Sequence, residues 1–209
     1  MLTPSTVVTV PPDAEIAYED WSKRDLSGME HHGVAFLDVD FTDARGSAAT
    51  FGGCELRDCT FSGTHLSGSA FTGCTFTGCS FFGATFEECK LVGSTFTKCS
   101  FKQLTVRGGD WSFTGLSGAD LSTARFGDVR LREADLTGAR CTGTVLHRVD
   151  LAGALFHRCD LSGADLRGSE ITAVDPVTTP LSGTVIDMDQ AAVIASSLGL
   201  IVSFEAPDD

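Results

Sequence analysis

Cysteine and histidine are the residues of this chain whose side chains most readily bind zinc or act as nucleophiles. The 209 residues include eight cysteines and five histidines. No two cysteines have the Cys-x-x-Cys spacing, and no cysteines and histidines are clustered at the spacing of a zinc site. Two histidines, His147 and His157, follow large apolar residues at similar positions but ten residues apart. The sequence therefore predicts no catalytic residues, no metal site and no cofactor.

A five-residue repeat positions most of these side chains. Large apolar residues occupy most of the fifth positions from Leu26 to Ile186, a position here called the centre, and no insertion or deletion interrupts the register. Twelve of the 15 phenylalanines are centres. An α-helix would give a period of 3.6 and a strand a period of 2. A period of five suits a chain that turns a corner every five residues.

The residues on either side of the centre support this interpretation. Seven of the eight cysteines stand two positions before a centre, where alanine, serine and threonine also occur, and Cys141 is itself a centre. Seventeen of the 23 glycines stand two positions after a centre, where a corner requires positive φ. We therefore expect reduced, buried thiols that act as small apolar groups, which favours a reducing, cytoplasmic location.

The repeats resemble the pentapeptide-repeat family. The segments that carry the resemblance include Ala-Asp-Leu-Ser-Thr (119–123), Ala-Asp-Leu-Thr-Gly (134–138) and Ala-Asp-Leu-Arg-Gly (164–168). The resemblance implies an all-β fold, a right-handed quadrilateral β-helix of about eight coils stacked as in other solenoids. It covers about residues 24–188.

The predicted organisation has three parts. Residues 1–15 are expected to be a flexible tail, residues 16–186 the β-helix, and residues 187–209 a C-terminal α-helix with a dimerisation tail. No stretch is long and apolar enough to span a bilayer.

Four five-residue sides make a coil of 20 residues, so residues i and i+20 should stack at about 4.8 Å. Phe41, Phe61, Phe81 and Phe101 should then form one aromatic column. On the outside, Asp110, Arg130, Asp150 and Glu170 should form one charged column, and Asp120, Arg140 and Asp160 another.

The chain carries more negative charge than the arginines of these columns can neutralise. Lysine and arginine number 15 against 28 acidic residues, a formal net charge of −13, and no lysine or arginine follows Arg167. A rod with a negative surface should repel nucleic acid and attract protein surfaces that normally hold it. We therefore expect no direct binding to nucleic acid. The acidic residues proposed to form the binding surface are Asp110, Asp120, Asp150, Asp160, Asp165, Glu170 and Asp175.

A helix is predicted after the last repeat. Asp187 or Asp189 is a suitable N-cap and Gly199 a suitable C′ residue. One apolar face of the helix could simply cap the last coil, but its further apolar residues favour a twofold dimer. The predicted interface comprises Ala191, Ile194, Ala195, Leu198, Ile201 and Phe204.

This C-terminal segment resembles that of the mycobacterial fluoroquinolone-resistance members of the family, which are related to the Qnr proteins. The similar stretches are Ile171–Pro176, Leu181–Ala191 and Leu198–Leu200. The resemblance implies an end-to-end homodimer that mimics DNA, binds DNA gyrase or topoisomerase IV, and protects the enzyme from inhibitors. No loop interrupts the register, which favours the mycobacterial type over the Qnr type.

Two alternatives remain open. The chain could be an interaction scaffold for an unrelated protein, with Phe82 and Phe113 as outward contacts. It could also be an enzyme whose site is assembled across a dimer, using His147 or His157.

Overall fold

In the computed structural model, which describes residues 14–203, the chain winds into a parallel β-solenoid that ends in one α-helix. The strands have three residues each, as expected for a chain that turns every five residues. They are β1 Glu15–Ala17, β2 Glu30–His32, β3 Ala35–Leu37, β4 Arg45–Ser47, β5 Thr50–Gly52, β6 Glu55–Arg57, β7 His65–Ser67, β8 Ala70–Thr72, β9 Thr75–Thr77, β10 Thr85–Glu87, β11 Thr95–Thr97, β12 Thr105–Arg107, β13 Arg125–Gly127 and β14 Val145–His147, followed by α1 Met188–Ser197.

Four parallel ladders form four faces, numbered in chain order, which confirms the quadrilateral β-helix. Face 1 contains β1, β3, β6, β9 and β11, and face 3 contains β4, β7, β10, β12, β13 and β14. Face 4 contains β2, β5 and β8 and continues by single bridges to Glu170, whereas face 2 consists of single bridges alone. Every pairing joins residues 20 apart, such as Phe36 with Leu56. The ladder on face 3 runs from Asp25 to Val185 in eight such steps.

The centres fill the interior, and the aromatic column is confirmed. The ring centroids of Phe41 and Phe61 lie 4.6 Å apart, those of Phe61 and Phe81 5.1 Å apart, and those of Phe81 and Phe101 5.6 Å apart, with nearly parallel planes. These distances approach the strand spacing because each ring sits on the equivalent ring of the next coil. The interior is therefore one continuous core built from neighbouring coils.

The small residue before each centre also points inward. The Ser94 hydroxyl donates to the carbonyl of Phe71 at 2.6 Å and accepts from the Cys74 amide at 2.9 Å, which joins two coils. At equivalent positions the Cys74 thiol lies 3.3 Å from the Phe51 carbonyl. All eight cysteines are free thiols, and all except Cys99 are buried.

The corners explain the glycine pattern. Gly63 has φ +66° and Gly153 has φ +71°, in the left-handed region that glycine adopts without steric cost. Other residues also occupy this position, including Lys98 with φ +56° and Phe113 with φ +61°. The repeat therefore imposes the corner, and glycine only makes it easier.

The ends of the solenoid differ slightly from the prediction. Strand β1 begins at Glu15, one residue inside the segment that we assigned to the tail. Residues 1–13 of that predicted tail lie outside the described residues, as does the predicted interface residue Phe204. No helix among residues 14–203 has the length and apolar character needed to cross a membrane.

The predicted helix is present and Asp187 is its N-cap. The Asp187 carboxylate accepts from the Gln190 amide at 3.0 Å, and the Gln190 side chain accepts from the Asp187 amide at 2.9 Å. These reciprocal bonds form a capping box. Asp189 lies in the first turn, where a negative charge is favourable. Gly199 follows the helix with φ +79°, as predicted for a C′ residue.

Candidate protein-interaction surface

The predicted acidic residues lie on all four sides of the rod, not in one patch. Face 4 carries Asp110, Asp150 and Glu170, and face 2, on the opposite side of the coil, carries Asp120 and Asp160. Asp165 lies on face 3, and Asp175 stands 20 residues after Leu155 of face 1, directly before the turn at residues 176–178. Any surface built from these residues therefore surrounds the rod.

Most of these carboxylates have a local structural role that the sequence reasoning missed. An aspartate directly before a centre accepts a hydrogen bond from the amide two residues later, as Asp110 does from Ser112 at 3.0 Å and Asp160 from Ser162 at 2.9 Å. This is an Asx turn. The recurrence of aspartate directly before the centre was the sequence pattern that could have predicted these turns. The same bond is made by Asp20, Asp25, Asp40, Asp120, Asp135, Asp150 and Asp165.

The charged columns are present, and their arginines contact the preceding coil. Arg130 Nε lies 3.4 Å from Asp110 Oδ2, and Arg140 donates to both carboxylate oxygens of Asp120. The Arg140 contact is the main reason that the pKa of Asp120 falls to about 2, and bonds from Ser122 act in the same direction. Because Arg140 pairs with Asp120, the negative charge of Asp160 is not neutralised by Arg140.

Asp165 has three cationic or polar contacts. Its Oδ1 lies 2.9 Å from Arg167 Nε, and its Oδ2 lies 2.7 Å from Arg167 Nη2 and 2.8 Å from His147 Nε2. Arg167 first, and His147 second, hold the pKa of Asp165 well below its usual range. Asp165 is thus the most strongly paired of the predicted surface residues.

The two histidines considered for catalysis do not converge. His147 lies in β14 on face 3, and His157 follows the face 1 bridge at Leu155, on the opposite side of the coil. Among residues 14–203, no three histidine, cysteine or acidic side chains are grouped closely enough to hold a metal ion. His147 and His157 therefore do not act together as one pair.

Negative charge is least compensated at the C-terminal end. Among residues 14–203, Glu170 accepts only from the Thr172 amide, at 2.9 Å. Asp175 accepts from the Val177 amide at 2.9 Å and from the Thr178 hydroxyl at 2.8 Å. These partners are neutral. Because no lysine or arginine follows Arg167 in the sequence, this end of the rod is acidic.

The same end is also apolar around α1. Gln190 anchors the helix, because its side-chain Nε2 donates to the carbonyls of Leu166 at 2.6 Å and Ser169 at 2.7 Å. The predicted interface residues Ala191, Ile194 and Ala195 are half-buried. Ile194 lines an apolar cavity of about 160 Å³ between the helix and the last coils.

Beyond the helix, apolar side chains face the solvent. Leu198 is 51% exposed and Ile201 is 95% exposed, with Leu200 and Val202 between and beside them. The helix thus caps the last coil, and the segment after it remains uncovered in the single chain.

Comparisons with known proteins match the repeat. The profile of the pentapeptide repeat region matches residues 79–156, and the profile of pentapeptide repeats matches residues 40–78 and 139–175. No curated protein matches the sequence.

The fold is shared with a solved structure, that of QnrB1. Full-length QnrB1, a plasmid-mediated fluoroquinolone resistance protein, is 20% identical over 90% of this chain and 98% of its own, with a TM-score of 0.61. HetL, a pentapeptide repeat protein involved in heterocyst differentiation regulation in the cyanobacterium Nostoc sp. strain PCC 7120, is 16% identical over 74% of this chain and 86% of its own, with a TM-score of 0.40.

Proposed function

Because this chain belongs to the pentapeptide repeat family, we propose that it is a cytoplasmic, non-enzymatic DNA mimic that binds a type II topoisomerase. The partner is DNA gyrase or topoisomerase IV. Binding modulates the enzyme and protects it from inhibitors such as fluoroquinolones or a producer's own gyrase poison. The fold shared with QnrB1 is consistent with this proposal.

The observation that carries the proposal is the fixed presentation of carboxylates around a rod. Each Asx turn holds one carboxylate oxygen of its aspartate by a hydrogen bond, as in Asp110 and Asp160. The position of the negative charge on the coil is therefore fixed. In each charged column an arginine separates two carboxylates, Asp110 from Asp150 and Asp120 from Asp160, so these negative charges recur at every second coil, about 9.6 Å apart. Regularly spaced negative charges on several sides of a narrow rod are what a groove built to bind DNA phosphates recognises.

Dimerisation would place the most acidic segment at the middle of the rod. The exposed apolar residues Leu198 and Ile201 lie at the same end as Glu170 and Asp175. An isologous contact through that end would bring two acidic segments together. Two subunits of about 38 Å each would span about 76 Å, roughly the length of 22 base pairs at about 3.4 Å each.

The direct test is a gyrase supercoiling assay in which the purified protein is titrated, with and without a fluoroquinolone. We expect inhibition of supercoiling, or fewer drug-trapped cleavage complexes, at micromolar protein. Absence of both effects with gyrase and topoisomerase IV from several bacteria would refute the proposal.

A set of charge variants tests the acidic end. The triple variant Asp160→Asn, Glu170→Gln, Asp175→Asn keeps oxygens that can accept the turn hydrogen bonds while removing three charges. We expect weaker binding and a smaller dependence of binding on salt concentration. The matched control is Asp38→Asn, Asp58→Asn, Glu88→Gln, which removes the same charge from corners of the first coils. Equal loss in both variants would argue against a special role for the C-terminal end.

The dimer has its own test. Leu198→Asp places a charge in the exposed apolar segment and is expected to yield monomers in light scattering. Phe82→Asp, at an exposed site on a side of the rod, is the control and should leave the dimer intact. A dimer that persists in Leu198→Asp would exclude this interface.

A scaffold for an unrelated protein is the second candidate. It is favoured by two exposed aromatic side chains, Phe82 at 48% and Phe113 at 56% exposure. This function predicts no effect on gyrase and binding that depends little on salt.

A further inference from the structure

The backbone ladder of face 2 follows a simple rule. The amide of each centre donates to the carbonyl 19 residues later, as Phe61 does to Ser80 at 2.7 Å and Phe81 to Ser100 at 2.8 Å. The residue before each centre donates back to the carbonyl 21 residues earlier, as Ser80 does to Cys59 at 3.0 Å. The same bonds reappear in the second half, from Leu121 to Arg140 at 2.9 Å.

The rule fails between residues 98–102 and 118–122, a pair of segments that we call the seam. In the part of the chain that the structure describes, no backbone hydrogen bond joins these two segments, and the amides of Phe101 and Asp120 make none of the rungs that their equivalents make. The neighbouring amide of Gln103 donates to the side-chain Oγ1 of Thr123, at 3.0 Å, instead of to a carbonyl. The coils are therefore separated on this face.

Two further observations agree with an opening at the seam. The stacked phenylalanines spread as the seam is approached, from 4.6 Å between Phe41 and Phe61 to 5.6 Å between Phe81 and Phe101. Cys99, which lies in the seam, is the one partly exposed cysteine, whereas the other seven are buried. Solvent thus reaches a position that is closed in other coils.

The opposite side of the same coil is closed tightly. On face 4 the amide of Leu91 donates to the Asp110 carbonyl at 2.8 Å, and the amide of Trp111 donates to the Arg130 carbonyl at 2.7 Å. Gly109 approaches Cys89 so closely that a Cβ atom would lie 2.1 Å from the Cys89 carbonyl oxygen. The coil is therefore pinned on face 4 and open on face 2.

The size of Trp111 explains why the coils are close on face 4 and apart on face 2. It stands at a centre of face 4, where phenylalanine or leucine is usual, and it is 1% exposed. Its indole reaches inward and stacks against Phe96 of face 1, with centroids 6.1 Å apart and planes 9° apart. Its Nε1 is buried without a hydrogen-bond partner among the described residues. The indole is larger than the space that one centre normally fills, so the coils separate where they are not pinned.

We propose that the seam is a hinge, held open by Trp111, at which the two halves of the solenoid bend relative to one another. The bonds that the same coils keep on faces 1, 3 and 4 hold them together, and the missing bonds of face 2 allow the gap on that side to widen or close. The hinge lets a rod with an otherwise regular ladder adjust its curvature to the surface that it binds. This inference does not depend on which protein is bound.

Hydrogen exchange measured by NMR on the intact wild-type chain tests the seam directly. The amides of Phe101 and Asp120 should exchange at least about 100-fold faster than those of Phe61 and Ser80, which occupy equivalent positions with intact bonds, because open segments exchange without global unfolding. Equal protection at the two sites would overturn the proposal.

Alkylation with iodoacetamide, followed by mass spectrometry, provides a second measurement on the native protein. We expect Cys99 to react well before the seven buried cysteines. Equal rates at all eight thiols would mean that the seam is closed in solution.

The role of Trp111 is tested by Trp111→Leu, which places the usual second-half residue at this centre. We expect slower exchange at Phe101 and Asp120 and about tenfold slower alkylation of Cys99. Phe126→Leu is the control, since it shortens another buried centre that contacts Trp111 edge-on at 5.9 Å. Unchanged exchange in a folded Trp111→Leu protein would remove Trp111 from the mechanism, and if that variant does not fold, the wild-type comparison still decides whether the seam is open.

Discussion

The two halves of the solenoid use the same coil but hold it together differently. Between residues 36 and 101 the centres are mainly phenylalanine, whose rings stack from coil to coil. Between residues 116 and 171 they are mainly leucine, and arginine–aspartate pairs join successive coils on the outside. Among the described residues these pairs are Arg130–Asp110, Arg132–Asp150, Arg140–Asp120 and Arg148–Asp128.

The comparison teaches which of these interactions can specify the fold. A buried aromatic ring removes a large apolar area from water and gains about 0.5–1.5 kcal/mol more from stacking. An exposed ion pair contributes about 0–1 kcal/mol. Both halves share the inward centre and the backbone ladder, so these must supply most of the stability, and the ion pairs add little.

The largest effect is expected for Phe61→Ala in the phenylalanine half. Phe61 is 1% exposed and stacks between Phe41 and Phe81. The substitution leaves a cavity and removes two stacking contacts, so the free energy of unfolding should fall by about 3–5 kcal/mol. Denaturation in urea measures the change.

The matched variant in the leucine half is Leu136→Ala, at another centre that is 1% exposed. It should cost about 2–4 kcal/mol, less than Phe61→Ala because no stacking is lost. Phe82→Ala, on the solvent side, should change stability by less than about 0.5 kcal/mol. If Leu136→Ala proved more costly than Phe61→Ala, aromatic stacking would not distinguish the halves.

A second prediction compares the small inward residues. The Thr144 hydroxyl donates to the buried Leu121 carbonyl at 2.7 Å. The same carbonyl also accepts from the Ala124 amide at 2.8 Å. Thr144→Val therefore keeps the shape but removes one of two donors to that carbonyl, and we expect a loss of about 1–1.5 kcal/mol in urea denaturation.

The thiol at the same place in the phenylalanine half should matter less. Cys89 lies 3.4 Å from the Leu66 carbonyl, and burial raises the pKa of its thiol to about 11. Because a thiol is a weak donor, Cys89→Ala should cost about 1 kcal/mol or less, mainly from lost packing. A cost as large as that of Thr144→Val would show that the thiols are structural hydrogen-bond donors.

The sequence determined the fold far better than the site. The five-residue period predicted the inward residues, the corners and the aromatic column, because each position of the repeat has the same environment in every coil. It could not assign Asp120 or Asp165, because their roles depend on which way Arg140 and Arg167 turn. The open seam was equally invisible, since Phe101 and Leu121 obey the repeat.

A third prediction concerns His31, which occupies a centre of the phenylalanine half. It is 7% exposed and stacks on Phe51 at 5.3 Å. Burial, and then the charge of Arg24, lower the pKa of His31 from 6.5. The folded protein therefore resists protonation that the unfolded chain accepts, so its stability is complete above pH 6.5 and declines as the pH falls towards the folded-state pKa.

His31→Phe should remove this decline and extend the aromatic stack. We expect a gain of about 1 kcal/mol at pH 5 and a smaller gain at pH 8, measured by urea denaturation at both values. His65→Phe is the control, because that imidazole lies on the surface near Glu87. An equal gain at both pH values would mean that unfolding takes up no proton at His31, so that folding does not lower its pKa.

The smallest effect is expected for the ion pairs of the leucine half. Arg148 Nε donates to Asp128 Oδ1 at 2.6 Å, and both side chains are about 60% exposed (63% and 60%). Solvent screens such a pair, so Arg148→Gln should leave the urea midpoint almost unchanged. The residual effect should vanish in 1 M salt, where the screening length is about 3 Å. A clear fall of the urea midpoint that persists in salt would contradict the comparison, because the leucine half would then depend on its surface charges for stability.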